Sequence, residues 1–496
     1  MKLLSRIFSR RILFLIQFLI VAFLGYIIFR LGIIPIPYVV LFLVILILLL
    51  YLIYRGQRNP RKHPIKSTIF KIISLIITIC LIFGCIYISK GSSLIDIISG
   101  ADIQIIEVSV VVNDDSSYEE IDDLKNQSFS CCLATDETSM SKTQGLIEDD
   151  IGEFTLNDYS TTVLSANALL DEEVEAMILK EIDRDSLNDT IEEFDDETRI
   201  IKTYQLIVST ATANSANVTK EPFVVFIGGT DQSGSISTAG LSDVNIVAVI
   251  NPNTNQICLV SVPRDYYVDI YGYDGKDKLT HSARSSEGIT CTMKTIENLL
   301  DIEFNYYVKL NFTSFMNIID AIGGVDITIP YYETVNGDGT FTTKIYSYYF
   351  EPGETHMDAK QALAFVRERK SFVDGDRIRL ANQQLMIEAV VDKVCSASIV
   401  TKLDDIFETV ADSLETNMSS SEIRSLINMQ VKNMNSWDIE SYSLDGTDSR
   451  EMEFATIAGG SPNPNGLSVM IPDESTIEQA QEYIEAILNN EVLDID

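Results

Sequence analysis

The first 90 residues contain no aspartate and no glutamate, although the whole chain carries 72 acidic residues. Twelve of the 37 lysines and arginines fall in that stretch. The remainder is short of positive charge instead: 25 basic residues face all 72 acidic ones, a balance of −47 within a chain of formal charge −35. That shortage excludes nucleic acid as a partner, because a polyacidic surface repels its phosphates. The acidic surface reads first as solvation. Cysteine is sparse too. The seven cysteines form no CxxC pair and no Cys/His metal spacing, which argues against zinc. Cys80 and Cys85 lie in an apolar run. Cys131, Cys132, Cys258, Cys291 and Cys395 are odd in number and include an adjacent pair, so buried free thiols are the default reading. Cys258 and Cys291 are the pair that an oxidising compartment would allow to bridge. No small-residue cleavage site follows the first apolar run, which argues against a removable signal peptide.

What the N-terminal segment does have is apolar length. Residues 12–29, 36–54 and 69–89 each match the ~20 residues that cross a bilayer as a helix. The short Pro-containing link at 30–37 reads as a tight hairpin. Lys2, Arg6, Arg10 and Arg11 precede the first run, and Arg55, Arg58, Arg61, Lys62 and Lys66 follow the second. The positive-inside rule places both groups in the cytoplasm, so three crossings deliver everything after Lys90 outside. The expected localisation is a multi-pass cell-membrane protein with everything after Lys90 extracytoplasmic.

The 496 residues suffice for more than one domain. Strand patterns at 103–112 and 200–209 bracket a polar helix or turn at 118–127, a helix at 163–170 and an apolar run after a turn at 172–179. This alternation predicts a small α/β domain. Its pieces at 120–125 and 168–176 resemble the solute-binding-protein type of α/β domain. A linker rich in Ala, Ser, Thr and Asn follows at 211–220. Beyond it we expect strands at 222–228, 244–250, 256–262, 304–312, 325–330, 437–444 and 467–471. Helices are expected at 287–300, 313–322, 357–365, 376–395, 404–415, 420–434 and 475–488, with Thr313 or Ser314 near one N-cap. The fold class is therefore N-terminal transmembrane helices followed by α/β: a small accessory domain, then a mixed-sheet α/β domain. The expected boundaries are 1–90, 91–220 and 221–496, with the core motifs at 222–396.

Against the acidic background, residues 363–384 gather Arg367, Arg369, Lys370, Arg377 and Arg379. Such a cluster calls for an anion. Arg367 and Arg369 share one side of an extended segment, and Arg379 and Gln383 share one helical face. Guanidinium forks match phosphate oxygens, so converging arginines favour phosphate. Asp376 occupies an N-cap position, its plain structural reading. Two further clusters stand at element ends, where α/β folds place their sites. Asp231 and Asp243 flank one Gly/Ser loop. They either converge on a hard cation such as Mg²⁺ or form turns. Pro263, Arg264 and Asp265 close a strand, and Arg264 alone reads as an ordinary surface charge.

Seven blocks in order carry a resemblance: GGTD, LSDVNIVAVINP, VSVPRDYYV, DKLTHS, NYYVKLNFTSFMNIIDAIGGVDITI, EPGETHMDAKQALAFVRER and DGDRIRLANQQ. Together they resemble the LytR-CpsA-Psr family over residues 222–396, with a looser match through 437–444 and VMIPDESTIEQA. The three spans and the accessory domain resemble its capsule-attaching branch. The resemblance implies an extracytoplasmic, Mg²⁺-dependent phosphotransferase (Mn²⁺ as substitute) of Gram-positive cell walls. It implies transfer of a capsular or teichoic-acid glycopolymer, with one phosphate, from polyprenyl pyrophosphate to a peptidoglycan hydroxyl, with the lipid in an apolar tunnel. Asp231 and Asp243 then match the metal carboxylates. Arg264, Arg367, Arg369 and Arg379 match the pyrophosphate arginines, Gln383 a site glutamine, and Asp376 an aspartate near the reaction centre.

Two positions depart from the family pattern. Leu241 and Asn382 stand where arginines are usual, and each lost charge-assisted contact is expected to cost ~1.5–3 kcal/mol of phosphate binding. The expected mechanism is in-line attack of the acceptor hydroxyl, with Asp376 or Asp265 as the proton acceptor. His281 and His356 read as structural. The alternative class is a membrane sensor that binds a lipid-linked precursor without turning it over. Leu241 favours that alternative, and the carboxylate pair favours the enzyme.

Overall fold

The computed structural model describes residues 10–32, 34, 36–58, 64–98, 103–191, 194–209, 212–230, 238, 240–335, 337–396, 406, 414–452, 454 and 466–495. By internal contacts the chain divides into two compact units.

The first unit contains Met1–Ser99, Cys395–Ala411 and Ser419–Ser436. Its helices α1 (Arg10–Leu31), α2 (Ile36–Gly56) and α3 (Pro64–Ile98) are long and apolar enough to cross a membrane. Their outward side chains are apolar: Leu19, Phe23, Leu41, Leu52 and Phe83 are all exposed, a surface that suits lipid rather than water. Val21, Leu24, Val39, Leu50 and Leu81 pack between the helices. Gln17 Nε2 donates to Ser74 O (2.7 Å) and to Thr78 Oγ1 (3.0 Å), a polar tie of the kind that holds helices together in lipid.

The second unit contains Gly100–Val394, Asp412–Met418 and Trp437–Asp496. It holds two sheets. In the first, β1 (Ile103–Asn113), β2 (Ser128–Cys131), β3 (Thr155–Asp158), β4 (Ala176–Lys180) and β5 (Thr198–Ser209) pair in the order β3-β2-β4-β1-β5. Alternate residues of β1, Ile106, Val108, Val110 and Val112, face α4 (Glu137–Ile151) through Met140, Ile147 and Ile151. Val111 turns instead towards Ala166 and Leu169 of α5 (Thr162–Leu170).

The second sheet contains β6 (Phe223–Thr230), β7 (Ser242–Asn251), β8 (Gln256–Ser261), β9 (Tyr306–Asn311), β10 (Glu415–Thr416) and β11 (Asp438–Ser443), in the order β10-β9-β6-β7-β8-β11. β7 runs antiparallel to both neighbours, whereas β9 and β11 run parallel to β6 and β8. Val224 and Phe226 face one side, in a core with Ile296 of α6 (Ile289–Leu300) and Ile484 of α11 (Glu474–Leu488). Ile227 faces the other side, beneath α7 (Phe312–Ile322), α8 (Ala359–Arg367) and α9 (Gly375–Cys395). The carboxyl ends of β6, β8, β9 and β11 and the amino end of β7 all meet at one edge of this sheet. Such an edge is where open α/β sheets bind ligands.

Several local expectations need correction. Met357 ends a strand (Gly353–Met357), and α8 starts only after Asp358, whose carboxylate accepts from Gln361 N in a capping box. The helix runs to Arg367, with Glu368 as its C-cap, so Arg367 does not share an extended segment with Arg369. Gly375 begins α9, so Asp376 sits inside the first turn and is no N-cap. The cap of α7 is Asn311, which accepts from Ser314 N, so Thr313 and Ser314 lie beside the cap in the first turn. Most of the helix expected at 404–415 lies outside the described residues, and Glu415 belongs to a strand. The helix at 420–434 is present as α10 (Ser420–Asn433), but it groups with the first unit. Each described cysteine is a free thiol, with Cys258 and Cys291 unbridged.

A buried polar seam joins the two sheets of the second unit. Lys180 Nζ donates to Arg284 O (2.7 Å), and Arg284 Nε lies 3.3 Å from Asp183. His281 is buried beside them, its Nδ1 2.7 Å from Asp277. Burial, then the nearby Arg284, push His281 below its ordinary value, and Asp277 opposes this without reversing it. A depressed folded pKa means that neutral His281 contributes stability in full above about pH 6.5. The contribution is lost as pH falls through the lowered folded value. His281→Gln should therefore flatten the fall in thermal midpoint between about pH 7.5 and 5. An equal fall in both proteins would show that another group sets the acid sensitivity.

Candidate functional site

The sheet edge brings most of the expected site residues together. Asp243 is the second residue of β7 and Arg264 lies three residues past β8. Arg264 Nη1 donates to Asp243 Oδ1 at 2.7 Å, and its Nε lies 3.5 Å from Asp265. Lys278, which the sequence reading did not single out, adds a 2.9 Å contact from Nζ to Asp265. Asp376 bridges two arginines: Arg379 Nη2 at 3.2 Å and Arg369 Nη1 at 3.5 Å. That bridge depends on Gly375, since a Cβ there would collide with the Arg369 carbonyl. Arg264, Asp265, Asp376 and Arg379 line one polar cleft of about 610 Å³, with Asp448 opposite.

Arg367 and Gln383 line a different space. This second cavity, about 650 Å³, lies between the sheet and α7–α9. Its walls are apolar: Ile227, Val244, Leu310, Phe315, Leu363 and Met386. Its polar lining includes Asp243, Arg367 and Gln383. The Arg367 guanidinium lies over the Phe312 ring, 3.9 Å from its centroid, a cation–π seat. Asp243 lines the apolar cavity while bonding to Arg264 in the polar cleft, so the two spaces meet at that ion pair. Asp231 lies outside the described residues.

The electrostatics favour an incoming anion. Five cations, Arg264, Lys278, Arg367, Arg369 and Arg379, meet four carboxylates, Asp243, Asp265, Asp376 and Asp448. Among the described residues this cluster is thus far less acidic than the chain around it, whose formal charge is −35. Burial alone would lower Arg264, but Asp243 and Asp265 outweigh it and raise its pKa. Burial likewise would raise Asp265, yet Lys278 and Arg264 keep it lowered. Burial, then neighbouring Arg264, push Arg379 down. The Nε atoms of Arg264 and Arg379 are buried without a hydrogen-bond partner, as is Gln383 Oε1. The two guanidinium donors are costly to leave unmade, and a phosphate oxygen would satisfy them; Gln383 Oε1 is an acceptor and calls for a donor instead.

The two positions expected to depart from the family pattern are both held by packing. Asn382 is fully buried, with Oδ1 accepting from Tyr332 OH at 2.5 Å and Nδ2 3.5 Å from Phe365 O. Leu241 packs against the apolar cluster of the first sheet. Sequence reasoning also missed Gln384, which ties α9 to two strands by donating to Tyr442 O (2.7 Å) and Leu259 O (3.3 Å). Arg377 pairs with Asp445 (2.6 Å) and lies outside the Asp376 bridge.

For a metal, Asp243 commits Oδ1 to Arg264 and lines the mouth of the apolar cavity. Among the described residues no group of three or more His, Cys, Asp or Glu could hold an ion alone. One or two carboxylates completed by substrate phosphates is the donor set that suits Mg²⁺.

The LytR_cpsA_psr family model matches residues 187–484. The chain is 32% identical over 258 residues, 52% of its length, to the polyisoprenyl-teichoic acid–peptidoglycan teichoic acid transferase TagU of Bacillus subtilis (strain 168), covering 75% of that protein. It is 34% identical over 227 residues, 45% of its length, to the TagU of Enterococcus faecalis (strain ATCC 700802 / V583), covering 71% of that protein. Among solved structures, B. subtilis TagV matches with a TM-score of 0.45 and 28% identity, over 54% of this chain and 98% of TagV.

Proposed function

Because the chain belongs to the LytR-CpsA-Psr family, we propose that it is a membrane-anchored, extracytoplasmic phosphotransferase. It moves a glycopolymer with one phosphate from a polyprenyl pyrophosphate carrier to a peptidoglycan hydroxyl and releases polyprenyl phosphate. The observation that carries this reading is the junction of an apolar cavity with a cation-rich cleft at the Asp243–Arg264 pair. A lipid diphosphate has the same two-part chemistry. The two TagU relatives are named as transferases of a polyisoprenyl-linked wall polymer to peptidoglycan, which supports the same substrate class.

In this mechanism the isoprenoid lies against Leu310, Phe315, Leu363 and Met386. Arg264, Arg367, Arg369 and Arg379 bind the two phosphates, and Gln383 orients the lipid-proximal one. The acceptor oxygen attacks the sugar-bearing phosphorus in line with the bridging oxygen, and the P–O bond to that oxygen breaks. Asp265 is a poor base, because Lys278 and Arg264 hold it deprotonated. Asp376, with half of its side chain exposed in the cleft, takes the hydroxyl proton. Asp243 and Asp231 are the carboxylates that would hold Mg²⁺, which would supply charge neutralisation on the phosphate oxygens. Most phosphoryl-transfer catalysis comes from such positioning and neutralisation.

In cells, deletion of the gene and an Arg367→Ala replacement should both reduce the peptidoglycan-linked glycopolymer and leave lipid-linked precursor in excess. Unchanged wall polymer in both strains would count against the role.

A further inference from the structure

The residues just before Asp243 are held by the first sheet. Ile105, near the start of β1, forms a parallel bridge with Thr238. Leu241 packs against the cluster that includes Ile106 and Val108 on the same strand. Gln104 is buried, and its Oε1 accepts from Ile289 N at 3.3 Å. It also lines a small cavity of about 250 Å³ with Thr230, Gly240, Ser242 and Lys309. The approach is close: at Gly288 (φ +53) a Cβ would collide with the Gln104 amide. The buried Lys309 Nζ also donates to Thr238 O at 3.0 Å. Thr238 is therefore tied to both β1 and β9.

The tie leads directly to the reaction centre. Ser242 Oγ donates to Asn245 Oδ1 at 2.6 Å, and Asn245 Nδ2 returns to Ser242 O at 3.2 Å. Both side chains are buried, so the start of β7, where its register with β6 shifts, is cross-braced by its own side chains. A displacement of Leu241 must pass through Ser242 to Asp243, whose carboxylate is bonded to Arg264. Leu241 itself lines neither the apolar cavity nor the polar cleft.

We propose that Leu241 is a positioning residue through which the first sheet fixes the start of β7, and with it the Asp243–Arg264 pair. This rests on the phosphotransferase reading for its kinetic consequence but not for its physical one. The accessory domain then acts as a built-in brace of the reaction centre, so its presence bears on turnover without its touching substrate.

The test uses the full chain in lipid nanodiscs, comparing wild type, Leu241→Ala and Leu241→Met. Truncation to Ala should lower kcat about tenfold, since a small misplacement of catalytic groups is expensive in rate. KM for the lipid-linked donor should stay within about twofold, because Leu241 is absent from the cavity wall. Hydrogen exchange should quicken at Ser242–Asn245 while the thermal midpoint changes little. Leu241→Met keeps the volume and should restore kcat and exchange protection. An unchanged kcat in Leu241→Ala, or a joint loss of kcat, donor binding and thermal midpoint without rescue by Met, would overturn the proposal. If wild type transfers no polymer, the phosphotransferase reading fails. The exchange measurement still decides the brace: faster exchange at Ser242–Asn245 supports it, and unchanged exchange overturns it.

Discussion

Arg264→Gln is expected to lower kcat by about 10²–10³, the scale seen when one preorganised donor to a developing oxyanion is lost. The guanidinium holds Asp243 at 2.7 Å and lies 3.5 Å from Asp265. It is where the apolar cavity and the cation-rich cleft meet. Gln keeps a hydrogen-bonding amide but removes the charge, so Asp243 is left near two other carboxylates with less compensation. Asp265 keeps Lys278, so the fold should survive with a modest drop in thermal midpoint. Arg264→Lys should recover only part of the rate, because a point charge cannot reproduce the planar fork. Single-turnover rates with saturating donor separate this loss from weaker binding. A fall smaller than about tenfold would remove Arg264 from the reaction centre.

Phe315→Asp should have a comparable effect by a different route. Phe315 belongs to the wall of the apolar cavity. A carboxylate there must either remain charged against a hydrocarbon chain or be protonated at neutral pH, and either outcome costs several kcal/mol. Donor affinity should fall about a hundredfold or more, 1.4 kcal/mol being a factor of ten. The chemistry of bound donor should be less affected, since the Asp243–Arg264 pair and the Asp376 bridge do not involve Phe315. The measurement is direct binding of a polyprenyl diphosphate to the nanodisc-held chain. Unaltered affinity would mean that the isoprenoid lies elsewhere.

Much of this was legible in the sequence, for physical reasons that differ by element. The three spans are long, predominantly apolar and free of acid, and nothing else in the chain is. The hairpin of β7 and β8 was fixed by two β-branched runs around the Pro/Asn turn at 251–255. The arginines at 363–384 stood out because the rest of the chain is so acidic. Local geometry was less visible. Placing Arg367 and Arg369 on one extended segment failed because α8 runs through Arg367, and the chain turns extended only at its C-cap, Glu368. Reading Asp376 as a cap failed because Gly375 lets the helix begin one residue earlier, against Arg369. The partners of Lys278, Asn382 and Leu241 all arise from long-range packing, which no local pattern announces. Leu241 shows this best: in sequence it is a missing arginine, and in the fold it is part of another sheet's apolar cluster.

The most direct test is the full chain in nanodiscs with Mg²⁺, a lipid-linked oligosaccharide and peptidoglycan fragments, followed by mass spectrometry. The account predicts one polyprenyl phosphate released for each oligosaccharide joined to peptidoglycan through a single phosphate, with both products lost in Arg264→Gln. Donor that stays bound and intact in the wild-type protein would contradict it and make the chain a binder of the lipid-linked precursor.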